Sequence, residues 1–580
     1  MFFNFISFIS IYIFFFTIIL SAGKIANNYI LQFKNLSLGE HGILGFIIFY
    51  FLSLCIHFFF AINDLIIFSV FLILIIFFVR NFRNILKINK ISNLKLVITF
   101  LIFLIISITN NHHDDLYIFQ LPIINYMQNY KIIFGLINLN DFIGQGHSFY
   151  EIMSLFKIPI YENRAYFLLP IIFLHFFVIF LFESLEIEKN KFVKYFIYFV
   201  IALLIIRFNR SKEYGTDLPI LCLLFYIQIN FFRFLNSKNI EYFFKSILAS
   251  LFCIILKLYG VLSIFYVFAF LPLLKKDVFR IFEKKKYVFF ILSIFFLTIT
   301  KNIIVSGCMF YPISEICLDK KYANWSIGRE IAEKRNEFYS AQVFGWRSYT
   351  KNINQGKFIS AKGYLETNAV EKIKGLMADK DLEKIITGIV IVFLFILISV
   401  SSKNKIKIDK IKRYPNLIIL LCFFIPFMIW SIKFPQSRYG YFSYVSCLFF
   451  YISYRYFNLG EINKKSVKIF FSILLIFLSS KNILRIHSEI QNNNNNINQY
   501  PIKKFKSDDY IVKLIDNIKF NIPKNSFMEC SNIPMLCLAN QKMIKKAKVY
   551  NGYYFLENNS SELRRHISSS AYYDMIETNN

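Results

Sequence analysis

A chain of 580 residues that is 56% apolar, with a mean hydropathy of +0.50, carries more hydrophobic surface than a soluble domain of that size can bury. The surplus must face something other than water. A net charge of +30 would point to nucleic acid in a soluble protein. Here Lys and Arg cluster in loops beside apolar runs, where each gains ~1 kcal/mol from anionic lipid headgroups, so membrane lipids are the expected partners and nucleic acid is not.

Fourteen apolar stretches follow one another at 4–22, 42–60, 62–80, 94–109, 166–182, 192–206, 217–234, 243–257, 259–275, 286–304, 383–400, 416–432, 439–457 and 466–480. Each is about long enough to cross ~30 Å of hydrocarbon, and only a helix satisfies its own backbone there. The first lacks a small-residue cleavage site and reads as a retained helix. Phe, Ile, Asn and Lys dominate as A- and T-rich codons would dictate, so the 73 Phe are read mostly as lipid-facing filler.

Basic clusters orient these spans. Arg80, Arg83, Lys87, Lys90 and Lys95 follow the third, and Lys275, Lys276, Arg280, Lys284, Lys285 and Lys286 follow the ninth. Lys403, Lys405, Lys407, Lys410, Lys412 and Arg413 follow the eleventh. All three clusters fall on one parity and are expected inside. Residues 110–165, 305–382 and 481–580 are then outside, with both termini. The expected architecture is an all-α polytopic domain over 1–480 and a small extracytoplasmic α+β tail over 481–580, in an inner (cell) membrane.

The first outer loop opens with Asn110, Asn111, His112, His113, Asp114 and Asp115, directly after an apolar span. Paired carboxylates at a membrane surface are costly to desolvate unless their charge is used for a metal, a proton or a cationic partner. The alternative is a solvated helix end. Tyr117, Gln120, Pro122, Gly135, Leu136, Asn138, Leu139, Gly144, Gly146 and His147 follow in a half-apolar segment expected to lie along the interface as short amphipathic helices.

Outer loops should be poor in cations, yet Arg207, Arg210 and Lys212 follow the sixth span, and Lys257, Lys433 and Arg438 lie in others. Arginine forks match phosphate oxygens bidentately, so Arg207, Arg210 and Arg438 suit a lipid-linked phosphate or diphosphate. Glu213 and Asp217 share the Arg207 loop, and pairing with its arginines is the competing reading.

Five cysteines fall in spans, and the other four form two short-range pairs, Cys308 with Cys317 and Cys530 with Cys537, in segments assigned outside. Disulfides persist there, and the spacings lack the tight pairs of zinc sites. Trp325, Arg329, Glu330, Glu333, Lys334, Arg335 and Glu337 are spaced like an exposed helix with surface ion pairs. Asn492 to Asn496 form a polar linker to the tail.

An acidic pair opening the first outer loop, a long interfacial loop behind it, many spans and a small outer tail together resemble the GT-C superfamily of membrane glycosyltransferases. The run Asp115, Tyr117, Gln120, Gly135, Leu136, Asn138, Leu139, then Ser306, Gly307, Tyr311, Pro312 and Trp325, looks like a family of bacterial GT-C-like membrane proteins. The resemblance implies that Asp114 or Asp115 is the catalytic base or a ligand of a divalent cation such as Mg or Mn. It also implies a sugar donor on a polyprenyl phosphate or diphosphate and a cell-envelope acceptor. His113, Tyr117, Gln120, Arg207, Arg210 and Arg438 would bind substrate. A polysaccharide polymerase or ligase is the nearest rival. A lipid or saccharide transporter is another, since Pro170, Pro219, Pro272 and Pro426 interrupt or edge spans.

Overall fold

A computed structural model describes residues 2–86, 93–109, 116–144, 148–158, 164–207, 215–274, 279–354, 359–399, 413–455, 464–492, 509–524, 530, 533, 536–538 and 543–560. Helices occupy all fourteen apolar stretches. In chain order these are α1 (Phe2–Ala26), α2 (Leu38–Phe59), α3 (Asp64–Leu86) and α4 (Asn93–Ile108). After the loop helices α5 (Leu121–Asn129) and α6 (Ser148–Ser154) come α7 (Leu168–Ile187), α8 (Lys191–Arg207), α9 (Asp217–Ser237), α10 (Glu241–Leu256) and α11 (Ser263–Leu274). A short α12 (Arg280–Glu283) leads into α13 (Lys285–Ser306). The second loop folds as α14 (Arg329–Val343), α15 (Trp346–Asn352), α16 (Ala361–Leu365) and α17 (Ala369–Ala378). Then follow α18 (Asp381–Ser399), α19 (Arg413–Lys433), α20 (Ser437–Gly440), α21 (Ser446–Arg455) and α22 (Lys464–Asn492). Among the described residues, seven helices are long and apolar enough to cross a membrane, and three more apolar helices are shorter.

The packing order follows from which helices are apolar all round. Helices α7 and α9 are almost wholly buried, whereas α3, α13 and α22 bury only a minor share and turn residues such as Leu65, Phe68, Ile73 and Ile476 outward. Without a hydrophobic drive between helices in lipid, close approach rests on small residues. At Gly42 of α2, a Cβ would fall 2.0 Å from the Phe176 ring of α7. The N-terminus of α2 is doubly satisfied. Ser37 and Glu40 form a capping box, and Glu183 of α7 accepts from the Leu38 and Gly39 amides at 3.0 Å.

The tail's described residues form two antiparallel hairpins, β1 (Tyr510–Ile515) with β2 (Ile518–Pro523) and β3 (Ile544–Tyr550) with β4 (Tyr553–Asn558). Disulfides join Cys308 to Cys317 and Cys530 to Cys537, as the spacings predict. The expected exposed helix over 329–337 is α14, but Arg335 is wholly buried, its guanidinium 4.7 Å from the Phe142 ring and 4.8 Å from that of Phe338. Rings from a distant loop convert a surface cation into a packed one.

Candidate functional site

Helix α4 ends at Ile108 and the chain runs on into His113, Asp114 and Asp115, which lie outside the described residues, as do Arg210 and the side chains of Tyr117 and Arg207. Gln120 closes a π-turn that starts the first loop. It is buried, and its Oε1 has no hydrogen-bond partner among the described residues. Among the described residues no three His, Cys, Asp or Glu side chains converge as metal ligands.

An apolar crevice of about 480 Å³ runs between α4, α7, α8 and α22. Ile102, Phe103, Ile106, Ile205, Phe471 and Leu475 line its length. Lys95, which pairs with Glu186, and Lys468 border one end. One turn beyond Ile106 and Leu478, at the other end, Thr109 donates to Asn482 Oδ1 at 3.4 Å and Arg485 donates to the same oxygen at 3.0 Å. Arg207 follows the crevice residue Ile205 by two positions. The space is therefore apolar along its wall and bordered by polar side chains at both ends.

Arg438 stands in a second cluster. Asp217, at the start of α9, accepts from Lys257 at 2.8 Å and lies 3.8 Å from an Arg438 amino group. Arg438 Nε donates to Gln436 at 3.1 Å, and its plane stacks on Tyr439. The Lys257 ammonium also covers the Tyr439 ring at 5.0 Å. Asp217 is thus held by cations from two other loops. Ser437 donates to Asp381 at 2.8 Å, which ties this turn to the end of the second long loop. The Arg438 side chain remains about half exposed, with room to meet an anion.

A third group escaped the sequence reading. Glu151 of α6 is fully buried beside Lys301 of α13, 2.6 Å from Nζ to Oε1, and Oε2 makes no hydrogen bond among the described residues. His57, Asn302 and Ser306 share a cavity of about 30 Å³ with the pair. Burial pushes the Glu151 carboxyl up, against the pull of Lys301. The signal was a lysine inside an apolar run, which must face a partner rather than lipid. Lys245 of α10 repeats the pattern, donating to the buried Glu40 at 2.8 Å, where Tyr226 also donates at 3.0 Å.

Gly135, Asn138 and Trp325, three of the residues that carry the resemblance, come together. Asn138 donates from one amide to the Trp325 carbonyl and the Leu556 carbonyl, each at 2.8 Å. Gly135 takes φ +72°, and a Cβ there would fall 2.5 Å from the Leu556 oxygen. Strand β4 docks on this knot, with Phe134 N donating to Tyr554 O and Leu556 N to Phe134 O. Asn558 closes it, donating to Asn138 Oδ1 at 2.6 Å and accepting from Lys320. These three residues build a scaffold that fastens both long loops to the tail.

No curated protein and no solved structure matches the chain. A domain of unknown function, DUF8201, matches residues 1–446, about three-quarters of the length, and leaves the docked hairpins outside the match. The protein, with its crowded helical membrane body, belongs to the DUF8201 family.

Proposed function

We propose that this protein is a glycosyltransferase of GT-C type, crossing the inner membrane of a bacterium about fourteen times, with its large loops and tail outside. It transfers a sugar from a polyprenyl phosphate or diphosphate to a cell-envelope acceptor. The observation that carries this reading is the apolar crevice of about 480 Å³, because a substrate with a long hydrocarbon tail needs such a space and a water-soluble donor does not. The crevice wall of α4 continues in sequence to Asp114 and Asp115, and that of α8 to Arg207 and Arg210. A carboxylate and an arginine pair therefore follow the two helices that would flank the lipid.

In this reading Asp114 or Asp115 takes the proton of the acceptor hydroxyl as its oxygen attacks the anomeric carbon. The bond from that carbon to the lipid phosphate breaks, and the negative charge on the leaving phosphate is met by Arg207, Arg210 or Arg438. A divalent cation, if used, would neutralise the same phosphate oxygens.

The test is transfer of radiolabelled sugar from native polyprenyl-linked donors in membranes holding wild-type, Asp114→Asn or Asp115→Asn protein at matched levels. Loss of transfer in one aspartate variant identifies the base. No transfer by wild type across a broad donor set removes the reading and favours transport.

A further inference from the structure

The ends of α1, α10 and α13 frame an open cavity of about 780 Å³. Lys34, Lys284, Lys285 and Lys286 line it, with Glu241 and Glu283. Four ammonium groups against two carboxylates leave it positive. Glu241 is already engaged, accepting from the Lys34 amide at 3.2 Å. Lys284 is held in place, its ammonium 5.2 Å from the rings of both Phe33 and Phe244. Those contacts fix a cation that would otherwise sweep through solvent on a flexible stem.

The cavity floor distinguishes it from a plain basic surface. Ile30, Leu31, Ile240 and Tyr287 also line it, and the spanning stretches Asn4–Leu31 and Lys285–Ser306 end or begin there. The cations therefore sit at the depth where hydrocarbon gives way to headgroups. We propose that this cavity binds an anionic phospholipid, its phosphate oxygens held by Lys34 and Lys284 and its acyl chains laid against the apolar floor. A basic pocket between helix ends is the chemistry that retains acidic lipids. The site is independent of the sugar-transfer reading, since it lies at the opposite ends of these helices from the first outer loop under the charge-derived topology.

The experiment titrates phosphatidylglycerol, and separately phosphatidylcholine, into full-length detergent-purified protein and counts bound lipid by native mass spectrometry. Phosphatidylglycerol should bind at least about tenfold more tightly, and Lys34→Gln with Lys284→Gln should weaken it about thirtyfold, as two headgroup cations are removed. Lys34→Arg with Lys284→Arg keeps both charges and should bind within about threefold of wild type, which separates charge from misfolding. Equal binding of the two lipids, or unchanged binding by the glutamine pair, overturns the proposal. Displacement of the lipid by inorganic phosphate at equal concentration would reassign the site to a free anion and overturn it too.

Discussion

Replacing Lys301 with Met removes the cation paired with a carboxylate that has no exposure to solvent. At 2.6 Å the pair attracts by about 6 kcal/mol with an effective dielectric of 20, and desolvation of both ions offsets most of that. The intact pair therefore adds little net stability, while breaking it strands Glu151 and should cost about 3–5 kcal/mol. Adding Glu151→Leu should return the protein to within roughly 1.5 kcal/mol of wild type, since both ions then leave together. Unfolding in mixed detergent, followed by the loss of folded monomer on size exclusion, measures all four corners of the cycle. The pH dependence carries a sign. A carboxyl whose folded pKa is raised binds its proton more tightly in the folded state, so stability contributed at low pH is lost as pH rises from the ordinary glutamate value through the raised one. The Lys301→Met deficit should accordingly shrink on acidification. A single variant that loses less than about 1 kcal/mol, or a double no better than the single, would refute the reasoning.

Arg438→Ala should lower sugar transfer roughly a hundredfold with little effect on protein level, since its guanidinium is half exposed; near-normal turnover removes it from the mechanism. Cys308→Ser with Cys317→Ser should cost about 2–3 kcal/mol, the entropy of freeing a loop of nine positions, read as a lower thermal midpoint. Asn138→Ala removes donors to two carbonyls and the acceptor for Asn558, a loss of about 2–4 kcal/mol, and should expose the 543–560 hairpin to limited proteolysis. Asp217→Asn should weaken the hold on Lys257 and Arg438 together, so its effect and that of Arg438→Ala on turnover should fall short of additivity.

The helices were legible because a sustained apolar run favours a helix, and helical structure fills most of each run, with seven helices among the described residues long and apolar enough to cross a membrane. The two disulfides were legible because each joins cysteines fewer than ten positions apart. What escaped was set by distance along the chain. A window average hides Lys301 and Lys245 among apolar neighbours, and nothing near them names Glu151 or Glu40 as partners. Asp217 was read against Arg207 and Arg210, whose side chains lie outside the described residues, and packing also brought it Lys257 and Arg438 from other loops. Arg335 has helical spacing on a charged face, but Phe142 covers it from a segment nearly 200 residues earlier. Among the expected substrate residues, Gln120 and Arg438 fall in the described structure, in separate surroundings, while Asp114 and Asp115 lie outside it.

The bond from Asn558 to Asn138 joins residues 420 positions apart. During synthesis the first long loop emerges early, yet the strand that bonds to its Phe134 is made about 420 residues later. At roughly 5–20 residues per second the ribosome needs on the order of 20–80 s to bridge that gap. Until then the Phe134 backbone lacks its two hydrogen bonds to β4, and its ring lacks the stacked Phe555 at 4.3 Å. That is the surface a folding helper would have to shield, and a carboxy-terminal truncation would leave it permanently bare.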